Sequence, residues 1–299
     1  MTQNDPKPPI FGITYGRPKV GKTLALIRAF PTALFISLKG AMNCASWLDI
    51  DVPHIELDNV DQMIKALASK KAKNYPAIIL DDANLQLDRE YLRIKAKTPS
   101  FKGNDQFNDK VFELRDASRD CATHVFWNMH EQAPRMVGKK EELKKVIPGT
   151  VLIQGWQLPE KLPAFADFLA RVVYDDDAVG WPYVYQTSPD PDYITGDRLN
   201  ISPGLFPLNI GELMRSTGYT IPRVKGMIWM DKTVEALANG IEKAGPDGLG
   251  DYLKKAAKQL MSKHNNQKHV RWALADAQDR VNLRRYQEGI LETYLETYQ

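Results

Sequence analysis

Apolar residues come in short dense runs through the first two hundred positions, and at helical spacing after them. Ile10 to Tyr15 is rich in β-formers and predicts a buried strand. Leu24 to Phe30 predicts a helix that stops before Pro31, because the residue ahead of a proline disfavours the helical region. The stretch ALFISLKGAMN supplies a second strand, and Ala77 to Leu80 a third. That third run ends in Asp81 and Asp82, and a helix is expected over Leu85 to Ile94. Thr123 to about Asn128 is a further strand, ending in polar residues. Strands alternating with helices predict an α/β core with a mainly parallel sheet flanked by helices.

The texture changes after SPGLFPLNIGELMRSTGYTIPR. Met230 to about Lys243 carries Val234, Leu237 and Ile241 at helical spacing. GPDGLG (245–250) reads as a break. Asp251 to Lys263 is a second helix, apolar at Leu253, Ala256, Ala257 and Leu260, with Lys254, Lys255, Lys258 and Lys263 on its other face. A final helical run covers Val270 to Tyr298. The expected organisation is therefore a core over 1–220 and a small α-helical C-terminal extension over 221–299.

Composition narrows the partners more than the fold. A net charge of +3 over 299 residues is too small to identify a polyanion partner, so a nucleic-acid site has to be a local basic patch. Cys44 and Cys121 give neither a disulfide framework nor a metal spacing, which suits reduced thiols and a cytoplasmic setting. The opening MTQNDPKPPI has no apolar signal region. No apolar run approaches the ~20 residues a membrane span needs, so no membrane partner is expected.

The chemistry starts at GITYGRPKVGKT (12–23). Gly16, Arg17, Pro18, Lys19, Val20, Gly21, Lys22 and Thr23 form the pattern G-x-x-x-x-G-K-[ST] between a strand and a helix. Gly16 and Gly21 let the backbone curl so that N–H groups point at phosphate, and the helix N-terminus adds positive dipole. Lys22 is then placed for the β- and γ-phosphates of ATP, and the Thr23 hydroxyl for Mg²⁺. Asp81, at the end of a buried strand, is the expected second Mg²⁺ partner; its other reading is a helix N-cap. In a parallel sheet the strand C-termini face one ligand crevice, so Asn128 and His130 are candidate γ-phosphate sensors, or else the polar start of a loop.

In this order, YGRPKVGKT, ALFISLKGAMN, YPAIILDDAN, FNDKVFELRDASRDCATHVFWNMHEQ and RVVYDDDAVGWPYVYQTSPDPDYITGDRLN resemble a RecA-like P-loop ATPase. The set is similar to the phage-encoded RecA-like nucleotide-binding proteins, among them the Sak-group single-strand-annealing ATPases, over residues 10 to about 200. The resemblance implies an ATP- and Mg²⁺-dependent protein that binds single-stranded DNA as a ring or filament of identical copies, in annealing or recombination. It departs at two places. Where such proteins carry an acidic, water-activating residue before a glycine, this chain has Lys39 before Gly40. Lysine at its ordinary pKa cannot take a proton at neutral pH, which leaves Asp82 as the substitute base. Where they carry a K-x-R pattern, this chain reads Gly196-Asp197-Arg198. Arg198 is thus a candidate arginine finger acting on a neighbouring copy, or a surface ion pair with Asp197 or Asp192.

The resemblance also directs attention to two basic loops for single-stranded DNA. One spans 93–102, with Arg93, Lys95, Lys97 and Lys102 around Phe101. The other spans 135–145, with Arg135, Lys139, Lys140, Lys144 and Lys145, diluted by Glu131, Glu141 and Glu142. The altered Lys39 and Gly196 keep open an alternative: a nucleotide-binding structural or adaptor protein of a phage replication or packaging assembly, with little turnover. A motor subunit fits less well, since it needs robust DNA-stimulated turnover.

Overall fold

The computed structural model describes residues 7–48, 51–137, 145–155, 157–221, 230–264 and 267–298. The chain opens with β1 (Phe11–Gly16), α1 (Lys22–Ala29), β2 (Leu34–Ser37), β3 (His54–Glu56) and α2 (Val60–Leu67). It continues through β4 (Ala77–Leu80), α3 (Ala83–Lys97), α4 (Phe101–Arg119) and β5 (His124–Gln132). A ribbon of β6 (Arg135–Val137) and β7 (Lys145–Ile147) follows, then β8 (Thr150–Val151) and α5 (Leu158–Lys161). The core closes with β9 (Phe168–Tyr174), β10 (Tyr183–Gln186), β11 (Gly196–Asp197), β12 (Leu205–Pro207) and α6 (Ile210–Ser216). Two long helices complete the chain, α7 (Met230–His264) and α8 (Gln267–Tyr298).

The main sheet runs in the order β12-β10-β9-β1-β5-β4-β2-β3. Its six strands from β9 to β3 are mutually parallel, while β10, β11 and β12 extend the β9 side antiparallel. All residues of β1, β2 and β4 are buried, as strands covered by helices on both faces must be. In this order β5 separates the strand before the phosphate loop from the strand that carries Asp81. One apolar core lies against α1 and α6, around Leu26, Phe30, Phe35, Phe126 and Phe206. The other lies against α2, α3 and α4, around Tyr15, Met63, Phe107, Val111 and Trp127.

The structure departs from the sequence expectation at β5. β5 runs on to Gln132 because Glu131 and Gln132 pair with Val151 and Thr150 of β8. His130 therefore lies within the strand, in register with Gly16. The break expected at GPDGLG is present as a kink within α7: Gly245 takes φ 64°, and Pro246 restarts the helix, where its missing N–H is not needed.

The C-terminal helices are more than an appendage. α7 and α8 share a core around Val234, Ile241, Leu260, Trp272 and Ala277, while Leu283 of α8 joins the core under α1. Arg28, at the end of α1, is paired with Asp276 at 3.0 Å and with Asp279. Arg280 lies 3.1 Å from Glu212 of α6. Lys254, Lys255, Lys258 and Lys263 all face solvent. Among the described residues no helix is long and apolar enough to cross a membrane.

Candidate nucleotide-binding site

The loop from Gly16 to Thr23 sits at the C-terminal edge of the sheet. The two left-handed residues in it are Lys19 (φ 66°) and Gly21 (φ 88°), so the curl is not made by Gly16. Gly16 is needed for a different reason: a Cβ there would stand 2.8 Å from Val172 Cβ on β9. Lys22 is buried and folds back onto its own loop, donating to the carbonyls of Gly16 at 3.1 Å and Arg17 at 2.8 Å. Burial lowers its pKa to about 8, against the pull of Asp82 and Asp81.

Thr23 and Asp81 meet beside the loop. The Thr23 hydroxyl lies 2.9 and 3.2 Å from the two Asp81 carboxylate oxygens. Asp81 is fully buried. Burial raises its pKa to about 6, while hydrogen bonds from Asn128 and Thr23 and the charge of Lys22 oppose the rise. It is not a helix cap; Asp82 occupies that position of α3, in a left-handed conformation (φ 52°) and without a capping hydrogen bond. Asn128 reaches the same place, its Nδ2 donating to Asp81 Oδ1 at 2.6 Å and to Thr23 Oγ1 at 3.3 Å. Ser37 Oγ, buried at the end of β2, has no hydrogen-bond partner, and the preceding Ile36 carbonyl takes the Asp81 N–H at 2.9 Å.

This donor set fits a magnesium nucleotide. A buried carboxylate and a hydroxyl stand together as oxygen ligands for a hard cation, and a buried ammonium has only loop carbonyls to leave. When bound, the cation neutralises charge on the β- and γ-phosphate oxygens.

His130 stands beside Asp82, with Nε2 3.4 Å from Oδ1. Asn84, fully buried and missed in the sequence, holds it from behind. Asn84 Oδ1 accepts the His130 N–H at 3.1 Å, and its Nδ2 lies 3.5 Å from His130 Nδ1. That pairing sets Nδ1 as acceptor and turns an Nε2–H toward Asp82. Burial and then the Lys22 charge lower the His130 pKa, against the pull of Asp82. Lys39 is exposed in the turn after β2, and the adjoining Gly40 N–H lies 3.3 Å from Glu56 Oε1 at the end of β3.

Other positions take roles that the sequence did not suggest. Glu131 does not dilute a basic loop: it is nearly buried and joins Arg17 to Arg171, each at 3.2 Å. Arg198 makes neither of the ion pairs considered for it. Its guanidinium donates to the Ala164 carbonyl, while Asp197 accepts the N–H groups of Leu199, Ile201 and Ser202. β11 pairs with the first residues of β9, which lie beside Gly12 and Ile13. Arg198 is thus at the end of the sheet opposite its own phosphate loop.

The α3–α4 tip and the β6–β7 ribbon stand on the loop's side of the sheet. Lys110 of α4 lies 2.9 Å from Asp61, in the first turn of α2 after β3, which marks the C-terminal edge of the sheet. Residues 101–109, about 13 Å of helix, precede that point, and Phe107 among them packs edge-on against Tyr91 of α3. Phe101 at the tip is 87% exposed, with Lys97 and Lys102 exposed beside it. Lys95 is spent locally on the carbonyls of Pro99 and Ser100, and Arg93 on Glu90. The β6–β7 ribbon follows β5 and pairs Met136 with Val146, both exposed. Lys139, Lys140, Glu141, Glu142 and Lys144 lie outside the described residues.

No curated protein matches this chain. Among solved structures, a KaiC-like protein from the hyperthermophilic archaeon Pyrococcus horikoshii OT3 is similar over 66% of this chain and 88% of that one, at 11% identity and a TM-score of 0.38. The family described as an AAA domain matches residues 9–199, from the start of β1 past Arg198, and with phosphate loop, buried aspartate and polar strand end all inside that span, the chain belongs to this AAA-domain family.

Proposed function

We propose that the chain is a magnesium-dependent ATPase that works on single-stranded DNA as an oligomer, in strand annealing or recombination of the kind carried out by the phage-encoded proteins it resembles. The observation that carries this reading is the shared side: the Phe101 tip and the β6–β7 ribbon rise from the same sheet edge as Lys22 and Asp81. Lysines there track phosphates, and Phe101 offers a face to a base. Lys22 holds the β- and γ-phosphates, Thr23 and Asp81 hold Mg²⁺, and Asn128 aligns Asp81. Asp82 takes the proton of the attacking water, with His130 steadying it. Arg198, remote from its own loop, acts on the nucleotide of an adjoining copy.

A second reading keeps nucleotide binding without turnover, as a structural or adaptor protein. The exposed Lys39 in the turn after β2 favours it, because no carboxylate is carried at that position of the chain.

The test is steady-state ATP hydrolysis with and without single-stranded DNA, alongside a DNA gel shift. DNA-stimulated turnover is the expected result. Tight ATP binding with neither turnover nor DNA binding supports the second reading instead.

A further inference from the structure

The turn over 175–182, between β9 and β10, touches both the phosphate loop and α8. Trp181 in this turn is 58% exposed. Its indole Nε1 lies 3.6 Å from where a Cβ on Gly21 would stand. Gly21 immediately precedes Lys22, so the indole marks the rim of the loop. Tyr183 props the ring, with centroids 5.7 Å apart at 44°, and Tyr174 meets Tyr183 edge-on at 5.6 Å. The fold thus leaves a large aromatic face in water beside a phosphate loop. Asp175, Asp176 and Asp177 in the same turn place negative charge on this side, which disfavours the triphosphate and suits the uncharged base.

α8 holds the turn in place. Asn282, buried, accepts the Val179 N–H at 2.9 Å and returns its Nδ2 to the Val179 carbonyl at 3.0 Å. Arg285 donates to the Asp177 carbonyl at 2.7 Å, and the Tyr286 hydroxyl to the Asp175 carboxylate. A cavity of about 870 Å³ lies between the turn and the two long helices, lined in part by Ala178, Val179, Ile241, Pro246 and Val281. Hydrogen bonds therefore hold this segment beside the cavity, together with Val179, which packs against the core shared by α7 and α8. The same helix grips the end of α1 through Arg28, so one element fixes both the helix that begins at Lys22 and the turn that carries Trp181.

The geometry points to a base-binding wall: Trp181 stacks on the purine base of the nucleotide whose phosphates the loop holds, and Asn282 is the positioning residue that keeps the wall in register. This rests on the nucleotide-binding reading above. Stacking on a face of this kind is sequence-tolerant among bases and strong enough to measure by alanine substitution.

The experiment compares dissociation constants of the full chain for Mg²⁺-ATP and for Mg²⁺-tripolyphosphate, which has the phosphates and no base. Trp181→Ala should weaken ATP by roughly tenfold and leave tripolyphosphate unchanged. Trp181→Phe should retain most of the ATP affinity. Asn282→Ala should weaken ATP selectively, in the same direction, with tripolyphosphate again unaffected. Unchanged ATP affinity in Trp181→Ala overturns the proposal. So does an equal loss for both ligands, since the indole would then be acting on phosphate. Failure of the unaltered chain to bind either ligand overturns the nucleotide reading itself, a result distinct from the other two.

Discussion

Asn84 and His130 are joined through both ends of one amide, backbone N–H to Oδ1 at 3.1 Å and Nδ2 to ring Nδ1 at 3.5 Å. The pairing leaves only Nε2 free to face Asp82. On the reading proposed above, a carboxylate so flanked orients water and takes its proton, work that Lys39 cannot do. Asp82→Asn should lower kcat by ~10²–10⁴-fold, the worth of a general base, with ATP affinity unchanged. Asn84→Ala should lower kcat less, because it frees the histidine without removing the carboxylate. Single-turnover hydrolysis and an equilibrium nucleotide titration separate the two effects.

His124 at the start of β5 carries an acid sensitivity of the fold. Its Nδ1 accepts the Ile10 N–H at 3.0 Å, and burial pushes its pKa from 6.5 down to about 4. Between those values the unfolded chain binds a proton that the folded chain does not. Stability contributed by this residue is therefore complete above pH 6.5 and is lost as pH falls toward 4, by about 2 kcal/mol at pH 5. His124→Asn, which keeps an acceptor but does not titrate, should flatten that part of the profile. Denaturant midpoints at pH 7 and pH 5 for both proteins check it.

The Arg28 ion pairs should be costly to break from one side. Arg28→Ala leaves Asp276 and Asp279 buried without their cation, a loss of about 3–5 kcal/mol. Arg28→Met combined with Asp276→Asn and Asp279→Asn should recover much of it, since no uncompensated charge remains. Urea unfolding of the three proteins gives the comparison.

Single-stranded DNA binding should depend on the α3–α4 tip. Phe101→Ala should weaken it by roughly tenfold, the loss of one stacked base. Removing Lys97 and Lys102 should each reduce the slope of log affinity against log salt by about 0.7. ATP affinity without DNA should be unaffected in all of these variants. A salt-independent affinity would remove the tip from the DNA surface.

The parts of this fold that sequence makes legible are those encoded by neighbours. Ala77–Leu80 is a strand because every residue in it is apolar, and Gly21, Lys22 and Thr23 are bound to a loop by their own backbone chemistry. Asp81 and Asn128 follow, because a parallel sheet sends the ends of its strands to one crevice. What stayed hidden depends on distant partners. The length of β5 is set by β8, the duty of Glu131 by Arg171, and the tautomer of His130 by a buried amide on another element. Helical periodicity in the last seventy residues marks which faces are apolar, but says nothing of Arg28, whose partners lie 248 and 251 positions away. Trp181 carried no signal, since nothing local ties it to Gly21.

That separation also has a meaning in time. At ~5–20 residues per second, roughly 12 to 50 seconds of synthesis pass between the appearance of Arg28 and that of Asp276. Throughout this interval the phosphate loop has been made, yet the end of α1 lacks its anchor, and the turn at 175–182, once made, lacks its clamp. The residues made first in the site are thus the last to be secured, and a growing chain carries the motif well before it carries the completed pocket.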